Sequence, residues 1–142
     1  MRVLVPVDGS ENSLRALEFA LDKLHPLSPD AVELHLLNVQ PSLNLGDVRG
    51  FVSAQSIEAW QEEQAAAALA GAKALLQRRG AAYTEHVCVG PAGPTIASFA
   101  AERSCDLVVM GNRGLGGMMN VLLGSATQEV LAHCAVPVVL IR

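Results

Sequence analysis

Long apolar runs, paired cysteines, clustered histidines and a basic face are all missing from this chain of 142 residues, and each absence removes a class of function. Hydrophobic residues make up 51% of the sequence and charged residues 17%, yet the apolar residues fall in short blocks, none near the roughly 18 needed to cross a bilayer. A soluble protein without a membrane partner is therefore expected. The opening "MRVLVPVDGS" holds a six-residue apolar-rich run that breaks at Asp8. That run is too short for a signal peptide and lacks a small-residue cleavage site, so the expected location is the cytoplasm. Cys88, Cys105 and Cys134 form no C-x-x-C pair and are odd in number. Reduced, partly buried thiols are expected rather than a disulfide framework or a zinc knuckle. The four histidines, His25, His35, His86 and His133, are too scattered for a metal site of the H-E-x-x-H kind. A net charge of -4, from 10 Lys and Arg against 14 Asp and Glu, offers no basic face for a phosphate backbone, which argues against nucleic acid as a partner.

What is present is alternation. "RVLVPV" (2–7), "AVELHLLNV" (31–39), "AYTEHVCV" (82–89), "DLVVMG" (106–111) and "VPVVLI" (136–141) are short, rich in Leu or β-branched residues, and bounded by Gly, Pro, Asp or Asn, so they read as five strands. Helical spacing lies between them, at Leu14, Leu17, Leu21 and Leu24, along Ile57 to Leu76, at Ile96, Phe99 and Ala100, and at Val130, Leu131 and Cys134. Ser10 suits a helix N-cap, Pro94 a first turn, and Gly80 after "LLQRR" a helix stop. Strict alternation in a chain of this length predicts one α/β domain over 1–142, a Rossmann-like open parallel sheet with four helices on both faces. One irregular stretch, "QPSLNLGDVRGFVSAQS" (40–56), reads either as a lid over a ligand or as a surface excursion. Gly71, inside the Ala-rich second helix, is expected to mark a close helix contact.

The densest chemistry is "GNRGLGGMMNVLLGSAT" (111–127), five glycines directly after the fourth strand. Glycine where a strand stops lets an anion approach without meeting a Cβ atom. Gly124 and Ser125, opening the last helix, offer unpaired amides and a positive dipole end, to which the Ser125 and Thr127 hydroxyls can add. A P-loop is excluded because the only lysines, Lys23 and Lys73, lie elsewhere. A dinucleotide fingerprint is excluded because only "DGS" follows the first strand.

Residues 111–125 match G-x-x-G-x9-G-[ST] at every fixed position. With "VLVPVDGS" at the start and "CAVPVVLIR" at the end, the chain resembles the ATP-binding branch of the universal stress protein family over nearly its whole length. The resemblance implies sheet order 3-2-1-4-5, a homodimer, and ATP at the ends of strands one and four, where an open parallel sheet places its ligands. It implies that Pro6, Val7 and Asp8 line the nucleoside side. The Asp8 carboxylate would accept a ribose hydroxyl or reach a metal through water, or else serve as a helix cap. The backbone of Val39 would meet the adenine edge. Met110, Gly111, Arg113 and Gly114 would run along ribose and phosphates, and Gly124, Ser125, Ala126 and Thr127 would close around the phosphate tail. Arg113 is the only cation between residues 104 and 141, and reads as a phosphate partner or an idle loop residue. Where many relatives carry further basic residues this chain has "LGGMMNV", so Mg or Mn is expected to accompany the ATP. Met118 and Met119 read as loop packing or as a partner surface.

Asp8 is the only acid that both motifs bring near the site, and phosphoryl transfer needs a fuller set. The expected function is an ATP-binding regulatory protein of the stress response. Slow ATP hydrolysis or adenylyl transfer, and a pure interaction module, are the alternatives. The apolar closing strand 136–141 is the expected twofold interface, through Val138, Leu140 and their neighbours, with Pro137 interrupting the pairing at one point.

Overall fold

A computed structural model describes residues 1–24, 30–43, 53–115 and 120–142. His25, the middle of the 40–56 stretch, and Met118 and Met119 lie outside the described residues. The elements run β1 (Arg2–Pro6), α1 (Glu11–Phe19) continued by a π-helical turn (Ala20–Leu24), β2 (Glu33–Gln40), α2 (Ala54–Arg79), β3 (Tyr83–Val89), α3 (Ala92–Glu102), β4 (Leu107–Gly111), α4 (Ser125–His133) and β5 (Val138–Ile141). All strand pairs are parallel, in the order β3-β2-β1-β4-β5, with Val5 opposite Leu36 and Leu4 opposite Val108 on the central strand. This is the five-stranded sheet with four helices expected above.

Side chains of successive strand residues point to opposite faces, and β1 shows what that does to the core. Val3, Val5 and Val7 join Leu34, Leu36 and Val109 against Ala16 and Leu17 of α1 and Leu69, Ala72 and Leu76 of α2. Leu4 faces the other way, with Leu37, Val108 and Met110, against Ile96, Phe99 and Ala100 of α3 and Val130 of α4. Each such buried Leu or Val contributes about 1.5–3 kcal/mol by leaving water, so two cores hold helices on both faces.

The local signals act as expected. Ser10 caps α1 by accepting from Ser13 N at 3.1 Å, and Gly80 ends α2 at φ +62, the left-handed region. A Cβ at Gly71 would meet Leu14 of α1 at an ordinary 3.5 Å. A tighter approach occurs where α3 crosses α4. A Cβ at Gly93 would overlap Glu129 Cβ and lie 3.0 Å from Ala126 O. Strand ends shift by one or two residues, and two shifts shorten the irregular stretch: β2 runs on to Gln40, and α2 starts at Ala54 because Ser53 caps it. Pro137 does not interrupt the outer edge. Its carbonyl accepts Val108 N at 2.9 Å, so this residue's backbone faces β4 and the missing N–H lies on the paired side. All four residues of β5 remain half-buried at that edge. The three cysteines are free, and no helix among the described residues is long and apolar enough to cross a membrane.

The sheet register also joins two histidines that are 51 residues apart in sequence. His35 Nδ1 lies 3.0 Å from His86 Nε2 on the α3 side, and His86 packs on Phe99 at 4.8 Å between ring centroids. No third metal ligand joins them among the described residues. Burial, then His35, then Arg103 hold His86 below the usual imidazole value. The unfolded chain therefore takes up this proton at a higher pH than the folded one, and stability falls as pH drops below about 6.5. Thermal unfolding at pH 7.5 and 5.5 should show a smaller loss in His86→Phe, which keeps the ring contact, than in the native chain. Equal losses in both would rule out a role for His86.

Candidate functional site

Sheet order places β1 beside β4 at the centre, where the winding direction reverses, and a cleft lies there at the strands' carboxyl ends, about 500 Å³ when the open solvent at its mouth is counted. Pro6, Val7 and Asp8 form one wall as β1 ends, with Val39 of β2 beside them. Met110 and Gly111 of β4, then Arg113 and Gly114, form the opposite wall, and Ala126 and Thr127 close it from α4. Of the residues expected at the site, only Gly124 and Ser125 stand outside the lining: Gly124 is the N-cap of α4 and Ser125 its exposed first residue. Ser13, Leu37, Ala92 and Ile96 line the cleft without having been expected. Leu37 was within reach, since it shares a strand face with Val39 two residues on. Ala92 and Ile96 share a face of α3, but only the tertiary fold turns that face toward the cleft.

The cleft lining combines two kinds of group. Leu37, Val39, Ala92, Ile96 and Met110 are apolar. Asp8, Arg113 and the start of α4 supply polar groups. That helix has no side-chain cap, and its first backbone acceptor serves Gln128 N at 3.0 Å from Gly124 O. The amides of Ser125, Ala126 and Thr127 consequently find no acceptor among the described residues. Together with the helix dipole they form an anion-seeking corner.

Two of the glycines are crowded from inside the protein. A Cβ at Gly111 would overlap Asn12 Oδ1 and come 2.7 Å from Asn12 Cγ. At Gly114 a Cβ would lie 2.5 Å from Asp8 Oδ2. The protein's own polar side chains fill these two spaces. Gly124, at φ -68 and ψ 162, is ordinary extended backbone whose Cβ would touch Arg113 Cα at 3.4 Å.

Asp8 is not the cap of α1, since Ser10 is. Its Oδ1 accepts from Ser10 N at 2.9 Å and Ser10 Oγ at 2.5 Å, while Oδ2 accepts from Leu115 N at 3.0 Å. Thr127 is buried and its hydroxyl donates to Gly111 O at 3.1 Å, tying α4 to the end of β4 rather than adding to the amide corner. Asn112 closes the neck of the loop. Its carbonyl accepts Gly124 N at 2.8 Å and its Nδ2 donates to Leu122 O at 3.0 Å. Neither Asn12 nor Asn112 carries a sequence signal, because their partners are backbone groups far along the chain.

The family model for the universal stress protein family matches residues 1–142. Universal stress protein MJ0531 of Methanocaldococcus jannaschii is 29% identical over 140 residues, covering 97% of this chain and 81% of its own length. Among solved structures, hypothetical protein MJ0577 superposes with a TM-score of 0.80 at 26% identity, covering 99% of this chain and 94% of that one. A universal stress protein in complex with cAMP gives a TM-score of 0.70 at 25% identity, covering 100% of this chain and 97% of that one. With the order of the sheet, the cleft at its switch point and a family match from end to end, the chain belongs to the universal stress protein family.

Proposed function

We propose that this protein binds ATP in the cleft and acts as a regulatory component of a stress response. The base lies between Val39, Leu37 and Ile96, with the backbone of Val39 at its edge. The ribose lies by Asp8 and Gly111, and the phosphates by Arg113, Gly114 and the amides of Ser125, Ala126 and Thr127, with Gly124 capping the helix behind them. The observation that carries this reading is a helix N-terminus without a side-chain cap and an arginine on the wall of a cleft lined otherwise largely by apolar side chains. A solved relative in complex with cAMP supports a nucleotide as the ligand.

Regulation is favoured over turnover by the state of Asp8. Among the described residues it is the one carboxylate on the cleft wall, and its two oxygens already accept three internal donors. A nucleophilic water would meet a base already engaged in holding the loop. No group of three metal-ligating side chains forms among the described residues, so Mg or Mn would be held chiefly by the phosphates, with Asp8 at most reached through water. The open apolar edge of β5 supports a homodimer.

Denaturing the freshly purified protein should release adenine nucleotide, and calorimetry of the emptied protein should show ATP binding strengthened by Mg. At a hundredfold excess over its dissociation constant, ATP adds about 2.7 kcal/mol and raises Tm by roughly 5–10 °C. Absence of both nucleotide and heat would count decisively against this function.

A further inference from the structure

We infer that Asn12 is a positioning residue whose carboxamide latches the glycine segment to the closing strand β5. Its Oδ1 accepts from Arg113 N at 2.9 Å, and its Nδ2 donates to Ile141 O at 3.1 Å. The same Ile141 carbonyl accepts Asn112 N at 2.8 Å. One side chain in the first turn of α1 therefore joins the backbone just past the β4 exit, at Arg113, to the last residue of the edge strand, beside the direct Asn112–Ile141 bond. Helix chemistry does not call for it. Ser10 already caps α1, and asparagine is a poor helix former. Asn12 is only 8% exposed, with both ends of its amide committed to tertiary partners.

The latch also accounts for Gly111. The volume a side chain would need there is taken by the Asn12 carboxamide, so glycine at this position admits an internal residue rather than a ligand. Arg113, whose amide Asn12 holds, lines the cleft. A displaced Asn12 releases the Arg113 backbone from the wall, while the bond from Asn112 N to Ile141 O still holds the β4 exit to β5.

Two measurements test the latch without any nucleotide. Amide hydrogen exchange should show Arg113 losing about tenfold or more of its protection in Asn12→Ala and keeping it in Asn12→Asp, which retains the acceptor but not the donor. In a double-mutant cycle on Tm, Gly111→Ala should be strongly destabilising in the native background and milder beside Asn12→Ala, where the side-chain overlap is gone and only a 3.1 Å contact with the backbone carbonyl carbon of residue 12 remains. Equal effects of Gly111→Ala in both backgrounds, or unchanged Arg113 exchange in Asn12→Ala, overturn the latch. A third measurement rests on the proposed nucleotide reading. ATP should bind Asn12→Ala about tenfold more weakly, and Gly111→Ala/Asn12→Ala should recover stability without recovering affinity. A native chain that fails to bind ATP while exchange and cycle behave as stated removes the nucleotide reading and leaves the latch standing. Native ATP affinity in Asn12→Ala overturns the latch's bearing on the cleft.

Discussion

Replacing Gly114 by valine should lower ATP affinity about a hundredfold or more while leaving the protein folded. A Cβ there would sit 2.5 Å from Asp8 Oδ2, the oxygen that accepts Leu115 N. The carboxylate has little room to retreat, because its other oxygen is tied to Ser10 N and Ser10 Oγ. The loop backbone must move instead, carrying Arg113 and the cleft wall with it. Gly114 is exposed and belongs to neither core, so the global fold has no reason to fail. Gly124→Ala is the matched control. Its backbone is extended and its new methyl meets Arg113 Cα at 3.4 Å, so ATP binding should stay within about threefold of native. Calorimetry of the two variants side by side, with circular dichroism to confirm folding, decides the matter. Native affinity in Gly114→Val would move the nucleotide out of this cleft.

Leu140→Lys should turn a dimer into a monomer at micromolar concentration. Pro137 and Ile141 direct their carbonyls to β4, which leaves the alternate residues, Val138 and Leu140, with their backbone groups on the outer edge. A second β5 could pair there about a twofold axis, burying its half-exposed apolar side chains. A twofold interface carries every substitution twice, so the cost of one desolvated ammonium is doubled. Lysine can reach water from a half-buried edge position, which spares the fold. About a hundredfold or more weaker association is expected, read by sedimentation at several concentrations. A native chain that sediments as a monomer refutes the interface, and a variant that stays dimeric places it elsewhere.

The sequence shows plainly what depends on neighbours along the chain. Ser10 and Gly80 mark helix ends because a cap answers to backbone amides or carbonyls a few residues away. β1 is legible because its apolar run is bounded by a turn. The end of β2 is less so, since Gln40 reads as the start of the irregular stretch that follows. Gln40 Nε2 donates to Asn38 Oδ1 at 2.7 Å and Asn38 Nδ2 to Val7 O at 2.8 Å, so both are buried in satisfied bonds that only the folded sheet supplies. The candidate site divides in the same way. Glycine spacing locates the wall formed by β4 and α4, but it is silent on the crowding at Gly111 and Gly114, because Asn12 and Asp8 reach them from about a hundred residues upstream. The His35–His86 contact is likewise created by register, with nothing in their spacing to announce it.

The crossing of α3 and α4 at Gly93 offers a dial on the proposed nucleotide site that lies outside the site itself. Glu129 and Ala126 stand so close that even one methyl group would act as a wedge against α4, whose first turn carries the free amides. Substituting that single glycine is thus a rational route to a heat-sensitive allele, one expected to keep its sheet when warmed while the proposed phosphate contacts loosen first.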